Sequence, residues 1–299
     1  MRMPKNVEVA EVCPRDGWQN HPVPIPAETK IKYIKRMADC GVKKMEVTSF
    51  VNPKYVPQMG DAKEVAQAVL PYLEQKSVTG TALALNKHGV DDARAAGFRH
   101  VIFVLSASEE HNLRNSRRTI QESMDGFKAL AREAGDLDIV LAIPCAFGSP
   151  FGDEVTLDRL KWLIDEAEGV GVAEFGVADT AGISSPEHTR EILEGLKNYT
   201  SMDKISLHMH DTCGMGLAGV YAALEAGVTK FESALGGLGG CPFAPGAKGN
   251  IATEDLVYML RDMGIETGLD LEALNAAARD MAAEIQANLA SCQSGLCKH

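Results

Sequence analysis

Cysteine is too sparse and too scattered in this chain to staple a fold together. Seven cysteines among 299 residues, an odd number with no regular spacing, do not make a disulfide framework. None has the spacing of a structural zinc site. Free thiols are expected, Cys292 and Cys297 in the polar C-terminal stretch included. Positive charge is also short: 30 Lys and Arg against 41 Asp and Glu give a net charge of −11. That argues against nucleic acid as a partner, but leaves room for an anion held by a local basic cluster. Long apolar runs are missing, and no stretch approaches the roughly 20 residues of a membrane span. The opening Met-Arg-Met-Pro-Lys-Asn leads straight into a strand pattern, with neither a signal-peptide core nor an Arg/Ser-rich transit stretch, so a cytoplasmic protein is expected. Low-complexity tracts, long linkers and solenoid repeats are absent.

What is present is an alternation. The composition, 45% hydrophobic and 24% charged, is that of a globular chain with a sizeable core. Strand patterns lie near 7–12, 44–50, 78–85, 100–106, 139–144, 174–178, 204–211 and 230–234. Helical patterns lie between them, near 27–40, 61–70, 89–96, 120–133, 157–168, 186–197 and 217–226, with another at 253–263. About eight strand–helix units with short connections predict a parallel sheet closed into a (β/α)8 TIM barrel. One catalytic domain is expected, the barrel at about 7–263 and a C-terminal helical extension at about 264–299. In the extension, an Ala-rich amphipathic helix runs from Leu271 to about Ala290.

The stretch Lys-Ile-Ser-Leu-His-Met-His-Asp (204–211) is the most informative. Side chains alternate faces along a strand, so His208 and His210 point the same way, at the end of a strand and before a strand-to-helix loop. Two imidazoles so placed can hold one metal ion, and in such barrels ligands bind at that end of the strands. The other strand ends deliver Arg15 and Asp16, Glu46, Asp179 and Thr180, and then Cys241, Asn250 and Glu254. Hard oxygen donors with two imidazoles suit an octahedral ion such as Mg²⁺, Mn²⁺ or Co²⁺. Each residue also has a plainer reading. Asp16 suits a turn, Asp179-Thr180 a helix cap, Asn250 a turn, and Glu254 a first-turn charge. Glu46, inside an apolar strand, needs a partner or a metal. The loop 236–250 contains six glycines without a Walker or dinucleotide spacing, and reads as a lid that carries Cys241. The convergence predicts a metal-dependent barrel enzyme acting on a carboxylated or hydroxylated acid.

Four motifs narrow this further: Val-Cys-Pro-Arg-Asp-Gly-Trp-Gln-Asn (12–20), Ser-Phe-Val-Asn-Pro-Lys-Tyr-Val-Pro-Gln-Met (49–59), His-Met-His-Asp-Thr (208–212) and the glycine-rich segment 237–260. Together they resemble the 3-hydroxy-3-methylglutaryl-CoA lyase family of the metallolyase barrels, from about Val7 to the C-terminal end. The resemblance implies metal ligands at Asp16, His208, His210 and Asn250, with Mg²⁺ or Mn²⁺ as the ion. It implies that Arg15 stabilises the enolate oxygen of the leaving acyl-CoA. Glu46 and Asp179 match acidic residues of the site, and Cys241 the lid cysteine. Gln19, Thr180 and Glu254 match residues around the site. The implied reaction is a retro-Claisen cleavage of 3-hydroxy-3-methylglutaryl-CoA to acetyl-CoA and acetoacetate, as in leucine degradation or ketone-body metabolism, with Asp16 or His208 as base. A homodimer or higher homo-oligomer and an acyl-CoA partner follow from the same resemblance. Lys54, Arg114, Arg117, Arg118 and Lys248 are the cations available to CoA phosphates, and Cys297 could form an intersubunit thiol switch.

The first motif departs from the family at three positions: Cys13 for Gly, Trp18 for Leu and His21 for Glu. Trp18 adds bulk where the acyl chain would sit or close beside it, which brings in a second expectation: the same chemistry on a citramalyl-type or longer-chain 3-hydroxyacyl-CoA. A third, a synthase joining acetyl-CoA to a 2-oxo acid, is disfavoured by the short stretch after the last barrel helix.

Overall fold

Eight short strands, each leading into helical structure, close on themselves. The computed structural model describes residues 3–172, 174–240 and 249–295. Its strands are β1 (Glu8–Glu11), β2 (Lys44–Ser49), β3 (Thr79–Leu83), β4 (His100–Val104), β5 (Asp138–Ile143), β6 (Glu174–Asp179), β7 (Ile205–Met209) and β8 (Lys230–Ser233). All pairs are parallel, and β8 returns to β1 with Val9 opposite Phe231, so the barrel has no open edge. The helices are α1 (Ala27–Asp39), α2 (Ala62–Gln75), α3 (Lys87–Ala95), α4 (Glu109–Ser116), α5 (Ile120–Glu133), α6 (Leu157–Glu168), α7 (Pro186–Lys197), α8 (Gly216–Ala226), α9 (Thr253–Asp262) and α10 (Leu271–Ile285). The expected TIM barrel is therefore present. No helix among the described residues is long and apolar enough to cross a membrane.

Strand alternation divides the barrel into two environments. Phe175, Val177, Ile205, Leu207 and Phe231 are buried on the outer face of the sheet, against the helices. Glu174, Gly176, Ser206, His208, Lys230 and Glu232 alternate with them and face the axis. The axis is thus polar. At its floor Glu174 pairs with Lys44 and with Lys230, the latter at 3.1 Å. Burial would raise the Glu174 carboxyl, but the two ammonium groups outweigh it and hold it ionised.

Helix starts follow the local chemistry. Asn86, Ser108, Thr119, Thr156, Ser185 and Asp270 each accept a backbone N–H three residues on, as N-caps do. Three elements differ from the pattern reading. Helix α2 runs through Pro71 to Gln75; the carbonyl left without a donor, that of Gln67, belongs to an exposed residue, where water can take it. Helix α4 occupies a segment with a single large apolar residue, Leu113. It is held by the Ser108 cap, the Glu110–Arg114 pair and the Asn112 amide, which donates to Ser123 Oγ and to the Arg118 carbonyl. Helix α10 stops at Ile285 rather than near Ala290, because Gln286 turns left-handed at φ 58°.

Candidate active site

Arg15 and Asp16 sit in a tight turn, Cys13–Gly17, directly after β1, where the N–H groups of Arg15, Asp16 and Gly17 all return to the Val12 carbonyl. The turn is anchored from below by Glu11, which is fully buried. One Glu11 oxygen accepts the N–H of Cys13 and of Leu235, both at 2.9 Å; the other accepts the Thr253 hydroxyl at 2.8 Å. Glu11 therefore ties the Arg-Asp turn to the start of the glycine-rich loop and to α9. Pattern reading missed it, because its role depends on contacts from two distant segments, at Leu235 and Thr253.

Burial pushes the Glu11 carboxyl up to about 7, against the lowering effect of Cys13, Thr253 and Leu235. A carboxyl that keeps its proton longer in the folded state than in the unfolded chain contributes stability that is complete below pH 4.5. That contribution is lost as pH rises through about 7. The loss amounts to about 3 kcal/mol. In Glu11→Gln, which stays neutral at every pH and keeps an amide oxygen to accept the Cys13 and Leu235 N–H groups, this pH dependence should vanish. Urea unfolding of the metal-free protein at pH 5 and pH 8 checks it; parallel losses in wild type and variant would contradict the assignment.

Four residues expected at the strand ends meet above the turn. One ligand atom each from Asp16, His208 and His210 lies within 4.8 Å of the others, the one such His/Cys/Asp/Glu group among the described residues. Asn250 joins them through a bridge that pairs it with His210. Its Nδ2 donates to Asp16 Oδ2 at 2.7 Å and to the Leu238 carbonyl at 2.9 Å. Both partners only accept, so the amide orientation is fixed and Oδ1 is left as a buried acceptor without a hydrogen-bond partner. His208 gives Nδ1 to Glu232 Oε2 at 2.9 Å, which leaves Nε2 for a ligand. A carboxylate, two imidazoles and an orphaned amide oxygen fit a divalent metal ion. Glu232 was not anticipated. It lies opposite His208 in the β7–β8 register, and Ser206 also bonds it.

Charge at the site is arranged around Arg15. Its guanidinium bonds Asp16 Oδ1 at 2.5 Å and Glu46 Oε2 at 2.7 Å, which is the partner that the buried Glu46 required. Arg15 Nε and Glu46 Oε1 remain buried without partners. Burial alone would raise Asp16, but Arg15 and the two imidazoles hold it well below the ordinary carboxylate range. Burial, then the neighbouring His208, pushes His210 down to about 4, so it is neutral and ready to ligate at pH 7. The glycine-rich loop passes close by. A Cβ on Gly239, at φ 112°, would fall 2.5 Å from Asn250 Nδ2 and 3.3 Å from Asp16 Oδ2. Gly239→Ala should therefore cost at least about 1 kcal/mol of stability and weaken Mn²⁺ binding, as thermal melting and metal titration would report.

The remaining candidates are placed differently. Asp179 directs both oxygens into its own loop, to the N–H of Gly182 at 3.0 Å and of Ser184 at 2.8 Å; burial raises its carboxyl. Thr180 Oγ1 accepts the Cys145 N–H at 2.9 Å, while its carbonyl faces the His210 ring. Glu254 is buried between the Gly236 N–H and the Ser294 hydroxyl. Gln19 is half-buried beside the turn. Ser49, at the mouth end of β2, was not singled out; its hydroxyl is buried without a partner. Cys241, Lys248 and Cys297 lie outside the described residues.

The three departures in the first motif do not widen or narrow an open mouth. Trp18 is 0% exposed and belongs to the core, so its bulk is packed inside rather than exposed at the mouth. Cys13 packs its sulfur 4.0 Å from Met281, and His21 bonds the Ile285 carbonyl, both on α10.

A family model described as HMGL-like matches residues 6–281. The chain is 38% identical over 281 residues to a hydroxymethylglutaryl-CoA lyase of Bacillus subtilis, covering 93% of each chain. It is 39% identical over 285 residues to an (R)-citramalyl-CoA lyase of Chloroflexus aurantiacus, covering 91% of this chain and 89% of the relative. An HMG-CoA lyase structure from Acinetobacter baumannii, in complex with coenzyme A and 3-methylmalate, matches with a TM-score of 0.93 at 34% identity, over 100% of this chain and 99% of the other.

Proposed function

The chain belongs to the HMGL-like family, and on that premise we propose that it is a divalent-metal-dependent lyase cleaving 3-hydroxy-3-methylglutaryl-CoA to acetyl-CoA and acetoacetate. The observation that carries the reading is the meeting of Asp16, His208, His210 and the unpartnered Asn250 Oδ1 beside the Arg15–Glu46 pair. Those four residues would hold the metal, Mg²⁺ or Mn²⁺. A divalent ion held there would supply Lewis-acid chemistry, lowering the pKa of the substrate's tertiary hydroxyl.

The chain's own groups do the rest. Asp16 or His208 takes the hydroxyl proton. The carbon–carbon bond breaks, its electron pair passes into the thioester as an enolate, and the carbinol carbon becomes the ketone of acetoacetate. Arg15, locked by Asp16 and Glu46, faces the enolate oxygen and needs no reorganisation as charge develops. The unpartnered Ser49 hydroxyl is available to a substrate oxygen. Cys241 as the proton donor to the enolate carbon, the basic residues as CoA phosphate contacts, a cytoplasmic location and a homo-oligomer complete the reading. Asp179, Thr180 and Glu254 act in it by bracing the loops around the mouth.

The relative that acts on citramalyl-CoA keeps a second reading in play: the same chemistry on a different branched thioester. The buried position of Trp18 favours the first. A substrate panel tests the choice: kcat/KM should be higher for 3-hydroxy-3-methylglutaryl-CoA than for (R)-citramalyl-CoA, and the reverse order would move the chain to the second reading.

A further inference from the structure

The departures at Cys13 and His21 have a common address, the last turn of α10. His21 Nε2 lies 2.8 Å from the carbonyl of Ile285, the final residue of that helix. A helix-end carbonyl can only accept, so Nε2 carries the proton in this contact. One turn earlier, Cys13 meets Met281. Beyond the helix end, the Ala290 N–H donates to the Gly236 carbonyl at 2.9 Å. Leu289 packs so closely there that a Cβ on Gly236 would fall 2.4 Å from its side chain. The same stretch therefore touches the loop that presents Arg15 and Asp16 and the base of the glycine-rich loop that leads to Asn250. On its other side, the 21–25 segment is laced by Gln58, whose amide donates to the His21 and Val23 carbonyls and accepts the Ile25 N–H. Asn20 spans the two loops directly, donating to the Gly240 carbonyl at 3.2 Å.

We infer that the end of α10 is a strut that sets the two active-site loops against each other, with His21 as the positioning residue that transmits it to Arg15 and Asp16. His21 touches neither metal nor substrate. It acts by fixing where the Arg-Asp turn ends, as Ala290 and Leu289 fix where the glycine-rich loop begins. The inference rests on the reading of Arg15 and Asp16 as the enolate and metal residues. It adds that a residue outside the metal constellation governs their geometry, and that this chain uses an imidazole for the purpose.

The test compares His21→Ala, His21→Gln and His21→Asn. The Gln amide nitrogen stands where the His Nε2 stands, whereas the Asn amide falls short of the Ile285 carbonyl. His21→Ala and His21→Asn should lower kcat about tenfold with KM within about twofold of wild type. They should also weaken Mn²⁺ binding, followed by titration calorimetry, by about threefold or more. His21→Gln should restore both quantities. Equal behaviour of Gln and Asn, or a change confined to Tm, would overturn the inference. If the wild-type chain cleaves no thioester, the proposed function fails, and the Mn²⁺ titration still decides the strut separately.

Discussion

Arg15→Gln should lower kcat by about 10³-fold while leaving Mn²⁺ binding within an order of magnitude of wild type. Removing one donor to a developing oxyanion costs about 10²–10³ in kcat. Arg15 is more than a donor, since it balances Glu46 and Asp16, two carboxylates that are otherwise forced together in a buried site. Without it, Glu46 is left as a buried acid whose carboxyl burial already raises. It should take up a proton and no longer act as a carboxylate. Steady-state kinetics alongside metal titration separates the two roles. A loss of metal affinity as large as the loss of kcat would mean that Arg15 works mainly by holding Asp16.

The second large effect is expected at Glu232. A carboxylate on the far nitrogen of a ligating imidazole fixes its tautomer and orientation, and losing one typically costs about 10–100-fold in metal affinity. Glu232→Ala should fall in that range for Mn²⁺, with Glu232→Gln between it and wild type, because the Gln oxygen still accepts from Nδ1. The geometry that motivates this is the 2.9 Å contact between His208 Nδ1 and Glu232 Oε2, supported by Ser206. Unchanged Mn²⁺ affinity in both variants would show that His208 is oriented by its strand alone.

The legible and illegible parts of the site differ for physical reasons. His208 and His210 were readable because their spacing matches the two-residue period of a strand. Asp16 and Asn250 came with motifs at strand ends, and a barrel brings strand ends together. Glu232 was not readable. It is a lone acid in β8, and only the register that sets it opposite His208 gives it meaning; register between neighbouring parallel strands is not written in either strand alone. Glu11 was unreadable because two of its three donors come from the distant positions 235 and 253. Trp18 and His21 were visible as unusual residues, but their direction was not. Trp18 is buried in the core, and the end of α10 takes the His21 ring. Helix α4 escaped because polar contacts from Ser108, Glu110 and Asn112 replace the apolar stripe that periodicity detects.

The most direct test of the account is the metal dependence of product formation. Purified protein stripped with EDTA, then supplied with 3-hydroxy-3-methylglutaryl-CoA with and without Mn²⁺, should form acetoacetate and acetyl-CoA in equal amounts only when the ion is restored, and His208→Ala should form neither. Equal turnover in the presence of EDTA, or full turnover by His208→Ala, would contradict the assignment of Asp16, His208, His210 and Asn250 as the centre of the chemistry.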